Sequence, residues 1–313
     1  MIEVRSASLD DTRLIVDLHC AQIPRWQLVN TQGRVEDREY SSLNLYERWL
    51  HGGAWMSVET GAIWLSHLLR RHYLPICVWD QDELVAYAEL IKSDEPEPFG
   101  SHYQIAHSLI PENQPAILQS MIDYLSEYHP SKIPLLISCS SFDEDCAALY
   151  QGLGFEARQQ IRHFNVKAQT GQAFYQAVEH TLHDPKQIKG WYMPIGRLQN
   201  SNYHWENLWP ALWDAIPQIR AQKIHRLKFS SPGVEAFVAY HQHLHDTRSA
   251  DVYCWSSKPL SSQLLIAIRD WAHRNQYRTL IMPVSKEGAA QLKTEAEESS
   301  YHLDIYVKYL NGD

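Results

Sequence analysis

Side chains able to do chemistry are concentrated in a few short runs of this chain. His107 stands in "SHYQIAHSLI", where Tyr103, Ile105, His107 and Leu109 alternate onto one face of a strand. An imidazole there titrates near neutral pH and can take a proton from an ammonium group. Glu89 closes "LVAYAE" on a neighbouring strand, and Tyr150 lies in "AALYQGLGF", Ala147 to Phe155. "HQHLHD" places His241, His243 and His245 on one face if extended. Same-face neighbours in a strand lie roughly 7 Å apart, too far for three imidazoles to share one ion without a bend, so no metal site is expected. "WSSKPLSSQLL" offers Ser256, Ser257, Lys258, Ser261 and Ser262, hydroxyls and an ammonium that can contact phosphate.

The elements that must position these groups follow from periodicity. "IEVRSAS" alternates as a strand, and Ser8 with Asp11 forms a capping box before Leu14, Ile15 and Leu18 at helical spacing. Residues 44–71 hold a helical region broken at Gly52-Gly53, with Ile63, Trp64, Leu68 and Leu69 as its stripe. "PICVWD" and "LVAYAELI" read as a hairpin, followed by the strand of His107 and a helix over Ala116 to Tyr128. "IPLLISC" is apolar throughout, as suits a strand buried on both faces. Ser141 and Glu144 read as a second capping box, Gly154 as a helix C-terminal glycine, and "QQIRHFNVK" as a closing strand.

The second half repeats this order. "LLIAIRDWAHRNQYRTLIMPV" matches "LQSMIDYLSEYHPSKIPLLIS" about 146 residues earlier. "KEGAAQLKTEAEESS" reads as a helix and "YHLDIYVKYL" as the last strand. Upstream, "GWYMPIGRL" is the expected opening strand, Trp205, Trp209 and Trp213 stripe a helix, and "IHRLKF" with "VEAFVAYHQ" forms a hairpin across "SSPG".

This order, with "AALYQGLGF" ending its helix, resembles the GCN5-related N-acetyltransferase (GNAT) family, whose fourth helix ends in A-x-x-L-Y-x-x-x-G-F. The resemblance implies an α/β fold of two tandem GNAT-like domains. Each is a mixed, mostly antiparallel twisted sheet with helices on both faces, over residues 1–167 and 190–313, with 168–189 as connector. It implies acyl-CoA-dependent N-acyl transfer, from acetyl-CoA to the primary amine of a small molecule or peptide by direct attack on the thioester. Tyr150 would protonate the departing thiolate, and His107 and Glu89 would flank the acceptor as base. Pantetheine would pair with the backbone of Ser108, Leu109 and Ile110. The family's phosphate loop, R/Q-x-x-G-x-G/A, corresponds to "LIPENQPAILQS": Gln114 takes the first position, and Ala116 and Leu118, on either side of Ile117, stand where glycines fall. Asp143 replaces an asparagine that many members carry.

No glycine occurs from Ser101 to Gln151 or from Val234 to Glu287, and Pro115 removes a backbone donor. A second reading therefore stands beside the first: a catalytically inactive GNAT-like protein acting as a ligand-binding or regulatory module. A third is tRNA-dependent aminoacyl transfer. The formal charge of -9 counts against that one and against any nucleic-acid surface. At 313 residues and 44% hydrophobic the chain has room for two cores. No apolar run is long enough for a bilayer, "MIEVRSASLDD" lacks a secretory pattern, and five scattered cysteines form no C-x-x-C, so a cytoplasmic setting is expected. The oligomeric state is left open.

Overall fold

A computed structural model describes residues 2–30, 32–111, 114–128, 133–213, 216–220, 223–243, 246–292 and 296–310. The chain opens with β1 (Ile2–Ser6), α1 (Thr12–Cys20), a small hairpin of β2 (Gln27–Val29) and β3 (Val35–Asp37), α2 (Leu45–Trp49) and α3 (Val58–Arg70). There follow β4 (Leu74–Asp80), β5 (Glu83–Asp94), β6 (Ser101–Leu109), α4 (Pro115–Tyr128), β7 (Pro134–Ser140), α5 (Glu144–Gly152) and β8 (Glu156–Lys167). The second half contributes β9 (Gln176–Glu179), β10 (Tyr192–Ile195), α6 (Ser201–Leu208), α7 (Pro217–Arg220), β11 (Ile224–Ser231) and β12 (Val234–Gln242). It ends with β13 (Ser249–Ser256), α8 (Ser262–Arg274), β14 (Thr279–Ser285), α9 (Lys286–Leu292) and β15 (Ala296–Tyr309).

The fold is mixed α/β with mostly antiparallel pairing, and its order repeats. β1 pairs antiparallel with β4 and β4 with β5, while β6 pairs parallel with β7. In the same sequence β9 pairs with β11, β11 with β12 and β12 with β13, all antiparallel, and β13 pairs parallel with β14. A helix precedes the last strand of each series and another follows it, α4 and α5 in the first, α8 and α9 in the second. The opening strand of the second series is thus β9, which lies within residues 168–189. "GWYMPIGRL" forms β10 instead, and β10 pairs with β13.

Contacts divide the chain into two compact units: residues 1–90, 107–130 and 211–221, and residues 91–106, 131–210 and 222–313. In the first, Ile15 and Val16 of α1 and Trp64, Leu65 and Leu68 of α3 are buried, as are Ile76, Val78 and Tyr87 of β4 and β5. Ser8 donates its N–H to Asp11 at 2.7 Å, so the capping box before α1 forms.

In the second unit, one face of β12, β13 and β14 (Val238, Tyr240, Val252, Cys254, Leu280, Met282) packs with Leu264, Leu265 and Ile268 of α8. Alternate residues, Phe237 and Trp255, pack on the opposite face with Trp205 and Trp209. Each fully buried Leu or Ile contributes on the order of 2 kcal/mol. Trp205 and Trp209 stack at 4.3 Å, but Trp213 is not part of their stripe. Helix α6 stops at Leu208, before Pro210, and Trp213 packs with Trp49 in the first unit.

The closing strands interleave. β15 pairs with both β7 and β8, and β8 pairs with both β15 and β14. β15 begins at Ala296, so "AEESS" is strand where a helix was expected, because Ala296, Glu297 and Glu298 face partners on β8; residues 293–295 of that expected helix lie outside the described residues. Helix α5 begins at Glu144 with Asp143 as its N-cap, in place of Ser141, because the Asp143 carboxylate accepts from the Cys146 N–H at 2.9 Å. Its far end explains the spacing of "LYQGLGF". Gly154, at φ +80, donates to Gln151 O, Phe155 donates to Tyr150 O, and the Phe155 and Tyr150 rings meet at 5.9 Å. That is a Schellman termination with its hydrophobic contact.

β13 and β14 share only the pairs Ser249–Thr279, Ala250–Leu280 and Asp251–Ile281 before they diverge. β10 takes the place beside β13, with Tyr192 opposite Ser256 and Ile195 opposite Cys254, while the Gly196 N–H donates to Pro283 O on β14 at 2.7 Å. Gly196, at φ +89, fits because it has no Cβ: one would lie 2.7 Å from Val252 O and 2.8 Å from Tyr253 Cα. Gly196→Ala is expected to lower stability by about 2–4 kcal/mol, read as a fall in the urea midpoint. An unchanged midpoint would show that β10 is not held tightly in this position.

Candidate active site

Glu89 and Tyr87 point to one side of β5, two residues apart. The Glu89 side chain is 1% exposed, and its Oε1 accepts from Trp55 Nε1 at 2.7 Å, Trp64 Nε1 at 2.9 Å and the Tyr87 hydroxyl at 3.3 Å. Burial raises its pKa; the field of His107 and the three donors pull the other way without cancelling it. His107, on β6, stacks at 4.9 Å on His19 of α1, whose ring also lies parallel to Trp55 at 5.7 Å. His19 Nε2 and His107 Nε2 are both buried without a hydrogen-bond partner. His19 is 6% exposed, and burial, then the neighbouring His107, holds its pKa down at about 3.

These six side chains form a polar group inside the apolar core of the first unit. A carboxyl whose pKa is raised is, once ionised, a stronger base than a free carboxylate, and an imidazole nitrogen without a partner can accept a hydrogen bond from an amine. Sequence reasoning missed His19 and the indole donors. The signal was present: His19 follows Ile15 by four residues, so it sits in the buried stripe of its helix.

The other expected positions in this unit are arranged along the chain from β6 to α4. Ser108, Leu109 and Ile110 are half-buried at the end of β6, and Gln114 and Ala116 are exposed at the start of α4. Ile117 and Leu118 are core residues, 2% and 0% exposed, and the Ile117 N–H is engaged by Gln114 O at 3.1 Å. Their side chains are therefore committed to packing, and Pro115 has no N–H to offer.

Tyr150 belongs to the second unit. It is 7% exposed, lies edge-on to Tyr306 of β15 at 5.8 Å, and bonds the Cys146 thiol. Burial, then Cys146, pushes its pKa far up, so its phenolic proton is retained at neutral pH. Burial likewise pushes the Cys139 thiol up to about 12. Asp143 is occupied as the cap of α5.

In the second half β10 occupies the strip of β13 that corresponds to Ser108–Ile110. A cavity of about 430 Å³ remains beside it, lined by Tyr192 and Pro194, with the carboxylates of Glu97 and Glu287 on its wall. Those carboxylates repel phosphates, and Arg197, which also lines the cavity, is already paired with Glu95. Of the three histidines of "HQHLHD", His245 lies outside the described residues, and His243 pairs with Asp251 at 3.1 Å.

No family model matches the sequence, and no curated protein matches it. Solved structures do. A GCN5-related N-acetyltransferase from Kribbella flavida superposes with a TM-score of 0.56 at 12% identity, over 99% of this chain and 72% of that one. Another, from Anabaena variabilis, gives 0.55 at 11% identity, over 99% and 73%. The chain has the GNAT fold. Both matches run through the whole chain, as the repeated strand order requires of a tandem GNAT arrangement.

Two buried histidines of this GNAT fold make it sensitive to acid. His19 titrates at about 3, as does His204, where burial and then Arg197 oppose the charge and Nε2 accepts from the Leu198 and Gln199 N–H groups. Unfolded, both titrate near 6.5, so the unfolded chain binds the extra protons first as pH falls. Their contribution to stability is complete above that pH and is lost as pH drops toward 3. At pH 5 the loss is on the order of 2 kcal/mol for each. Urea unfolding at pH 7 and pH 5 is expected to show a lower midpoint at pH 5, with a smaller drop in His19→Gln. A midpoint independent of pH would contradict this account of both sites.

Proposed function

We propose that the chain is an N-acetyltransferase that moves the acetyl group of acetyl-CoA to the primary amine of a small molecule or peptide, working through residues 1–167. The observation that carries this reading is the buried Glu89 with its indole and phenol donors beside His107 and His19. It is a proton-accepting group on the strands where the fold family places the acceptor amine. No structural need of the core calls for a carboxylate there, since burying one costs free energy.

Acetyl-CoA supplies the thioester. The backbone of Ser108, Leu109 and Ile110 would hold its pantetheine arm, and Gln114 with the free N–H of Ala116 at the start of α4 would meet its phosphates. Ile117, Leu118 and Asp143 would then contribute only as support, through packing and the capping of α5. Glu89 or His107 accepts the proton of the attacking ammonium, and Tyr150 donates one to the departing thiolate. The free cysteines and the absence, among the described residues, of any helix long and apolar enough to cross a membrane are in keeping with a cytoplasmic setting.

The engaged Ile117 N–H and Pro115 favour a second reading, a GNAT-fold binding module without turnover. Kinetics separate the two. Thiol release from acetyl-CoA with a panel of amines is expected, with Tyr150→Phe and Glu89→Gln each lowering kcat about a hundredfold. Acetyl-CoA binding with no thiol release for any amine would select the binding module.

A further inference from the structure

Strand register brings three cations together at one edge of the second unit. Ser249 and Thr279 are paired at the start of β13 and β14, and Arg248 and Arg278 are the residues just before them. On its other side Thr279 is opposite Lys167, the last residue of β8. The backbone is tied down: Arg278 N–H donates to Arg248 O at 2.7 Å and Ala168 N–H to Arg278 O at 2.8 Å. Neighbouring strands are about 4.8 Å apart, so Arg248 and Arg278 start side by side, with Lys167 one register position along. The Asp246 carboxylate, two residues before Arg248, feels its charge, and the chain as a whole carries nine more acidic than basic groups.

The same three residues line a cavity of about 620 Å³ together with His273 and Tyr277, and no carboxylate lines it. Pockets for small ligands run from about 300 to 1,000 Å³, so the space exceeds what one inorganic phosphate fills. Guanidinium pairs match the bidentate geometry of phosphate oxygens.

We propose that this cavity binds a small molecule through a pyrophosphate or equivalent multivalent oxyanion, with Arg248, Arg278 and Lys167 neutralising it. The site uses none of the groups assigned to acetyl transfer, so it stands or falls separately from that reading.

The test is titration calorimetry of the intact protein with pyrophosphate, against sodium chloride of equal ionic strength. Saturable binding is expected for pyrophosphate alone. It should weaken at least about tenfold in Arg248→Gln/Arg278→Gln and about threefold in Lys167→Gln. ADP in a parallel arm distinguishes sources: tighter binding than pyrophosphate identifies a nucleotide-like ligand, and equal binding a free diphosphate. A second readout is the urea midpoint without ligand, which should rise in the double arginine variant as repulsion is relieved. Heat indistinguishable from the chloride control, or variants within twofold of the parent in affinity, would overturn the proposal.

Discussion

Parallel strands that share three residue pairs and then part must leave the remaining backbone donors and acceptors to some other partner. In the second half of this chain that constraint is met from within. β10 lies along β13 from Tyr192 to Ile195, and Gly196 closes onto Pro283 of β14. The arrangement depends on a glycine, because any side chain there would strike the β13 backbone. It also decides what the second half is able to bind, since a strip already paired with peptide is closed to an extended ligand that would pair in the same way. The first half has no β10 equivalent among the described residues, and its β6 pairs in register with β7 over Tyr103–Ile105.

Much of this fold is legible in local pattern. Alternation marked β4, β5, β6, β11 and β12, and the apolar run "IPLLISC" marked β7. "LYQGLGF" was legible as a helix ending because the Schellman geometry imposes its own spacing on Gly154 and Phe155. Pairing partners were not legible. A period of two says that a segment is a strand and which residues share a face, but not which neighbour it takes. Hence "GWYMPIGRL" was expected to open a sheet and instead fills a gap in one, and "AEESS" joined β15 although it was expected to be helical. Trp213 kept its helical spacing from Trp209 on paper but lies beyond Pro210, which ends the helix.

The candidate site was read in part. Glu89 and His107 were recognisable as titratable groups on facing strands, and the structure puts them in one polar group of the first unit. His19 was hidden because a histidine in an apolar stripe looks like packing, and Trp55 because its indole N–H matters only once a carboxylate is opposite. Burial is what gives these groups their chemistry. It raises Glu89, so that this carboxylate binds a proton more readily than a free one, and lowers His19 to about 3, so that its ring stays neutral and can only share a hydrogen bond with a bound amine.

We propose that β6 is open to acetyl-CoA, while β13 is closed by the chain's own β10. Amide hydrogen exchange with and without saturating acetyl-CoA measures both strands at once. Slowed exchange is expected at Ser108, Leu109 and Ile110, with no change at Val252 to Ser256. Protection on β13, or none on β6, would contradict it.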